Sequence, residues 1–171
     1  MQTTQTTPAT QSPLLTKTWY AYYVLVLLTL GYVINTMDRS QILAASLQAI
    51  KKEFAASDTQ MGVLTGIPFA VFYSVMGIPI AAWADRSSRR TVLALAVGSW
   101  SAMTGIFGMA VNYAMLFTAR VGTAVGEAGG SPPSHSLISD YFPKSSRGTA
   151  FAIYALGVPI GSSLGAAFGG W

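Results

Sequence analysis

Cysteine is absent from this 171-residue chain, so a disulfide framework and a thiolate metal site are both excluded. Histidine occurs once, as His135, which leaves no cluster able to hold a metal. Charge is scarce as well. Asp, Glu, Lys and Arg make up 9% of the residues, against about 25% in a typical soluble domain. A disordered chain needs high charge and low hydrophobicity, and this one has neither. So few charges also cannot cover a soluble sphere of this size. There is no Gly-rich phosphate loop and no interleaving of basic and stacking aromatic residues. Nucleotide hydrolysis, a bound cofactor and a nucleic-acid partner therefore have no support. What fills the chain is apolar: 51% hydrophobic residues, 17 glycines and a mean hydropathy of +0.46.

Residues 1–18 are rich in Thr, Gln and Pro and read as a short disordered tail. Tyr20 to Met37 is an uncharged run, and about 18 apolar residues suffice to span a bilayer. The pattern predicts an all-α membrane protein with five helices, at about 19–50, 58–84, 91–111, 114–140 and 149–171. Ser57 with Gln60 three residues later reads as a capping box opening the second helix. Pro68 and Pro79 are expected inside that helix, and Pro132–Pro133 inside the fourth. Membrane helices tolerate such prolines because neighbours satisfy the freed carbonyls. Asn112 and Tyr113 make a short turn before the fourth helix, and Pro143 to Gly148 is a polar loop after it. Trp171 would suit the aromatic belt at the membrane surface.

The charges are sorted by side. Lys17, Arg86, Arg89, Arg90, Lys144 and Arg147 fall on one face, while only Lys51 and Lys52 fall on the other. The positive-inside rule puts the N-terminus in the cytoplasm and makes the lipid bilayer the first partner. The net charge of +4 is then a topology signal.

Asp38, Arg39, Arg120 and Glu127 lie at membrane depth and sum to zero. Each would cost at least about 2.5–3.5 kcal/mol unpaired at the bilayer centre, so each faces a cavity or a partner. Arg120 and Glu127 are seven residues apart, hence on one face of the fourth helix. Two readings follow: a salt-bridge cluster that fixes helix register, or a proton-binding and substrate-orienting centre. Gly122, Gly126 and Gly130 recur every fourth residue on helix four, and Gly157, Gly161, Gly165 and Gly169 on helix five. Such stripes let helices approach closely, as fixed packing faces or as surfaces that rock.

The loop Asp85-Arg86-Ser87-Ser88-Arg89-Arg90 reads as an orienting, lipid-contacting basic loop, in which Asp85 can accept from Arg89 or from a helix N-terminus. Ser131 and Ser134 near His135 raise an intramembrane hydrolase, but the spacing is poor for a nucleophile and base.

Ala81-Ala82-Trp83-Ala84-Asp85-Arg86-Ser87-Ser88-Arg89-Arg90 resembles the loop between helices two and three of the major facilitator superfamily, with Ala81 and Ser88 where glycines are usual. Asn35-Thr36-Met37-Asp38-Arg39, Arg120 to Ala128, Ile138 to Pro143 and Gly157 to Gly161 are similar to the Spinster branch, its bacterial members in particular. The resemblance covers about residues 19–171. It implies a fold of twelve helices in two bundles that works by alternating access. It also implies export of lysophospholipids or sphingoid phosphates, with proton coupling in bacterial members. By that analogy Asp38, Arg39, Arg120 and Glu127 line the central cavity, and Asp85, Arg86 and Arg89 latch the cytoplasmic side.

The resulting expectation is the N-terminal fragment of a proton-coupled secondary transporter in a bacterial inner membrane, without enzymatic activity. Its partners are protons, a small organic or amphiphilic solute (lysolipid-like or an organic acid) and a missing C-terminal half. The alternative is a non-transporting, self-associating membrane scaffold, motivated by the glycine stripes.

Overall fold

A computed structural model describes residues 18–169, apart from the side chains of residues 40–45 and 169. Residues 1–17 of the expected tail and Trp171 lie outside the described residues, and Thr18, expected in the tail, opens the first helix. The described residues form helices joined by short turns, without strands. In chain order these are α1 (Thr18–Thr36), a π-helical segment (Met37–Ile42), α2 (Leu43–Glu53), α3 (Asp58–Thr65), α4 (Ile67–Arg86), α5 (Arg89–Gly108), α6 (Tyr113–Ala128), α7 (Ser131–Tyr141), α8 (Lys144–Ala155) and α9 (Gly157–Gly169). They assemble into five rods: α1–α2, α3–α4, α5, α6–α7 and α8–α9.

Local chemistry sets where the rods start and break. Ser57 caps α3, its hydroxyl accepting from the Gln60 amide while the Gln60 side chain accepts from the Ser57 amide. Asn112 caps α6 by accepting from the Met115 amide at 2.8 Å. The prolines correct the picture of unbroken helices. Pro68 lies in the first turn of α4, after a break at Gly66, and Pro132–Pro133 open α7 after a break at Gly129–Gly130. Proline lacks the N–H that a first turn leaves unused, so it starts helices more readily than it continues them. Pro79 alone of these stays inside a helix. The expected loop over Pro143–Gly148 is also revised. Helix α8 already begins at Lys144, with the Pro143 carbonyl accepting from the Ser146 and Arg147 amides.

Among the described residues, four stretches are long and apolar enough to cross a membrane: Thr18–Arg39, Asp58–Arg86, Arg89–Gly108 and Lys144–Phe168. The α6–α7 rod is different. It carries Arg120 and Glu127 and is the most enclosed, burying Leu116, Ala119, Thr123, Ala124, Gly126 and Ala128. A rod with charges at its middle cannot face lipid, so the apolar rods surround it. They turn large apolar side chains outward, among them Ile34, Ile67, Ile78 and Phe168.

The glycine stripes lie inside the bundle. A Cβ on Gly126 would sit 2.7 Å from the Trp100 backbone nitrogen, and one on Gly122 would sit 2.6 Å from Met103 Sδ. A Cβ on Gly161 would meet the Val33 carbonyl oxygen at 2.5 Å, and one on Gly157 would meet the Tyr32 ring. Gly165 is buried on the same helix. Thus α6 seats on α5 and α9 seats on α1, at backbone distance. Within its own stripe Gly130 gives way to Gly129, whose Cβ would run into Ala96 at 2.8 Å. The break after Ala128 rotates the register.

Apolar packing divides into two clusters. One joins Leu25, Leu28, Leu137, Ile138, Tyr141, Ala150 and Tyr154 on the face nearer the N-terminus. The other joins Ile50, Ala56, Met61, Leu64 and Leu116 at the distal face. The charged residues lie between them.

Candidate functional site

The polar middle is built where α1 gives way to its π-helical segment. That extra residue per turn carries Asp38 and Arg39 toward α4, α5 and α6. Asp38 accepts from Thr104 Oγ1 of α5 at 2.6 Å. Arg39 is exposed, and its guanidinium lies over the rings of Phe69 and Tyr73, 5.1 and 4.6 Å from their centroids. Arg120 is 7% exposed. It donates to the Arg39 carbonyl at 2.8 Å and approaches the Phe69 ring at 4.2 Å. Phe69 thus separates two guanidinium groups and presents its negative ring faces to both.

Glu127, at 2% exposure, lies deeper. Neither carboxylate oxygen accepts a hydrogen bond among the described residues, and the buried Asn35 amide nitrogen likewise has no partner. The ion pairs among the described residues are Lys51–Asp58 and Arg89–Asp140. The four intramembrane charges therefore form no direct salt bridge, and register-fixing by ion pairing loses its basis.

Two chambers divide these groups. The first, about 340 Å³, opens toward the distal face and is lined by Asp38, Thr104, Leu116, Arg120 and Thr123. The second, about 80 Å³, is lined by Asn35, Glu127, Ser131, Ser134, Trp100 and Tyr154. Of the four residues expected to share one cavity, Asp38 and Arg120 line the first chamber and Glu127 the second.

At the N-terminal face the loop residues are drawn together differently from expectation. Arg89 pairs with Asp140 of α7, and Arg90 donates to the Tyr141 hydroxyl. Asp85 accepts from neither Arg89 nor a helix end among the described residues and lines a groove of about 570 Å³, while Arg86 beside it is exposed. The start of α5 is thereby fastened to the end of α7. Arg147 serves a local purpose: it donates to the Ser139 and Phe142 carbonyls, closing the α7 C-terminus.

Reasoning from sequence missed Phe69, Tyr73, Thr104, Asp140 and Tyr141. Phe69 and Tyr73 are four apart on α4, a spacing that lipid-facing aromatics share. Their value arises only from the guanidinium groups brought across to them. The hydrolase candidates are not assembled. Ser134 donates to the Gly130 carbonyl at 2.7 Å, and the His135 ring meets Phe151 and Tyr154 edge-on.

Comparison with known proteins places this geometry. Residues 28–171 match the Major Facilitator Superfamily model. An MFS-type efflux pump of Mycolicibacterium smegmatis is 34% identical over 155 residues, 90% of this chain and 35% of that protein. A probable L-galactonate transporter of Escherichia coli is 31% identical, covering 80% of this chain and 30% of that one. The sphingosine-1-phosphate transporter SPNS2 of Danio rerio is 30% identical, covering 81% and 28%. Among solved structures, a bacterial homolog to the human lysosomal transporter Spinster, inward-facing and unoccupied, superposes with a TM-score of 0.84 at 47% identity. It covers 88% of this chain and 31% of that one. The chain spans about a third of the length of these relatives. With its apolar rods and charged interior, it is an integral membrane protein that belongs to the Major Facilitator Superfamily and is Spinster-like within it.

Proposed function

We propose that this chain forms the first bundle of a proton-coupled secondary transporter that works by alternating access. Its solute is a small organic or amphiphilic molecule with an anionic group, of lysolipid-like or organic-acid chemistry. Arg39 is the observation that carries this reading. Its guanidinium belongs to an exposed residue, lies within ion-pair distance of no carboxylate among the described residues, and sits over the Phe69 and Tyr73 rings. A planar cation fixed in this way presents its edge donors to a carboxylate or phosphate. Arg120 lines the adjoining chamber and supports the same sign of charge. The transport of galactonate and of sphingosine-1-phosphate by relatives, both of them anions, points the same way.

Glu127 is the proton-binding group in this reading. Its carboxyl is buried, and Arg39 and Arg120 are the cations acting on it. A solute anion arriving at Arg39 competes for that positive field and favours proton uptake by Glu127. Alternating access needs a second bundle facing this one, so a C-terminal half is the partner. The basic face holding Arg86, Arg89 and Arg90 is cytoplasmic by the positive-inside rule, in a bacterial inner membrane. Asp85 and Arg86, exposed on that face, are the groups left to latch the second bundle. No chemical conversion of the solute belongs to this reading, since Ser134 and His135 are engaged elsewhere. The scaffold alternative loses its motive, because Gly122, Gly126, Gly157 and Gly161 meet helices of the same chain.

Uptake of a labelled lysolipid and of a labelled sugar acid into proteoliposomes tests the reading. Glu127→Gln is expected to flatten the pH dependence, and Arg39→Gln to abolish concentration-dependent binding. Retention of both properties in both variants rejects it.

A further inference from the structure

The second chamber poses a hydrogen-bonding problem that the protein alone leaves open. Asn35 is the amide that acts on the Glu127 carboxyl, yet neither buried carboxylate oxygen nor the buried Asn35 Nδ2 closes a hydrogen bond. All three lie on residues lining the same space of about 80 Å³. Buried polar groups are almost always satisfied, and each one left unmade costs about 1–3 kcal/mol. A bound cation would satisfy the oxygens and oppose the amide N–H. Water donates and accepts, so a molecule bridging Asn35 to the Glu127 carboxyl answers both kinds of group. The space holds a few waters, each needing two to four polar partners. Ser131 and Ser134 on the same wall supply further ones.

We propose that this chamber is a resident water site that hydrates Glu127 separately from the solute chamber. Its water would reach the carboxyl from the Asn35–Ser131–Ser134 side, while Asp38 and Arg120 face the other space. The charged groups acting on Glu127 are Arg39, Arg120 and Asp38, and the phenols on the same wall are Tyr32 and Tyr154. The inference deepens the coupling reading and rests on it for its consequence. A proton can join or leave Glu127 while the solute chamber is occupied.

Gly31 provides the means of testing it. It lines the chamber, and a Cβ there would meet nothing within 4 Å. Radiolytic hydroxyl footprinting of the whole protein in nanodiscs reads bound water through oxidation of adjacent side chains. Trp100 and Tyr154 are buried, yet both should label readily. Gly31→Val should reduce their labelling about tenfold, with Gly31→Ala intermediate, as the space for water closes. Tyr113 at the distal face should label unchanged in both variants. Trp100 and Tyr154 that stay unlabelled in the unmodified protein, or that label in Gly31→Val as strongly as in the unmodified protein, overturn the proposal. Protection of the pair when sodium replaces choline identifies a cation site and overturns it too. Labelling reads hydration whether or not Glu127 couples transport. A Glu127→Gln variant with intact pH dependence therefore rejects the coupling reading without touching this one.

Discussion

At Arg39 the shape of the side chain matters as much as its charge. Lysine would keep the cation but lose the guanidinium's delocalised contact with the Phe69 and Tyr73 rings and its paired donors. Arg39→Lys is therefore expected to weaken solute binding about tenfold or more, consistent with roughly 1.5–3 kcal/mol for a hydrogen bond to a charged group. Titration by fluorescence in detergent would read it, and wild-type affinity in the lysine variant would contradict the stacked geometry. Ala55 carries a different kind of information. It sits just after α2 with φ of 48°, a left-handed conformation that costs an L-residue about 1–2 kcal/mol. Glycine is the natural occupant of such a helix end. Ala55→Gly is expected to raise the unfolding midpoint, a gain of about 1 kcal/mol once glycine's extra chain entropy is subtracted. A lowered midpoint would mean that the turn relaxes in solution.

Among the elements, the contact of α5 with α6 is the one most dependent on a missing side chain. A Cβ at Gly126 would press on Trp100 backbone atoms at 2.7 and 3.0 Å, and backbone cannot move aside as a flexible side chain can. Gly126→Ala is expected to destabilise the bundle by about 1–3 kcal/mol. Gly98 on α5 is the matched control, since its Cβ would meet nothing. Gly98→Ala should be neutral or stabilising by about 0.5–1 kcal/mol, through helix propensity alone. Thermal unfolding of both variants checks the pair, and equal effects would refute the close approach. The Arg89–Asp140 tie between α5 and α7 is partly exposed, so Asp140→Asn should cost under about 1 kcal/mol. Its loss should show instead as faster proteolysis in the Asp85–Arg90 turn.

For the whole molecule, sidedness is the property most open to measurement. The chain has no cysteine, so single cysteines report cleanly. Ser87 and Thr59 are exposed at opposite ends of the α3–α4 rod. Ser87→Cys should react with an impermeant maleimide only from the cytoplasmic side, and Thr59→Cys only from the outside. The reverse pattern would invert the proposed topology.

Much of this architecture was legible in the residues themselves. Uncharged runs fix membrane helices because backbone in lipid must satisfy its own hydrogen bonds. The Ser57 capping box and the Asn112 turn are local and form as read. Arg120 and Glu127 announced an interior helix because charge at that depth has nowhere else to go. Tertiary structure alone decided the rest. The π-helical segment at Asp38 and Arg39 follows from packing against α9 and has no periodicity to betray it. Phe69 came within reach of two arginines only when α4 was packed against α6 and met the π-helical segment. Arg89 turned from Asp85 to Asp140 because the end of α7 lies closer in space than the sequence suggests. Separation of Asp38 and Arg120 from Glu127 into two chambers has the same origin. Chain order supplies helices and their polar middle through local forces, whereas which polar groups meet depends on where the rods cross.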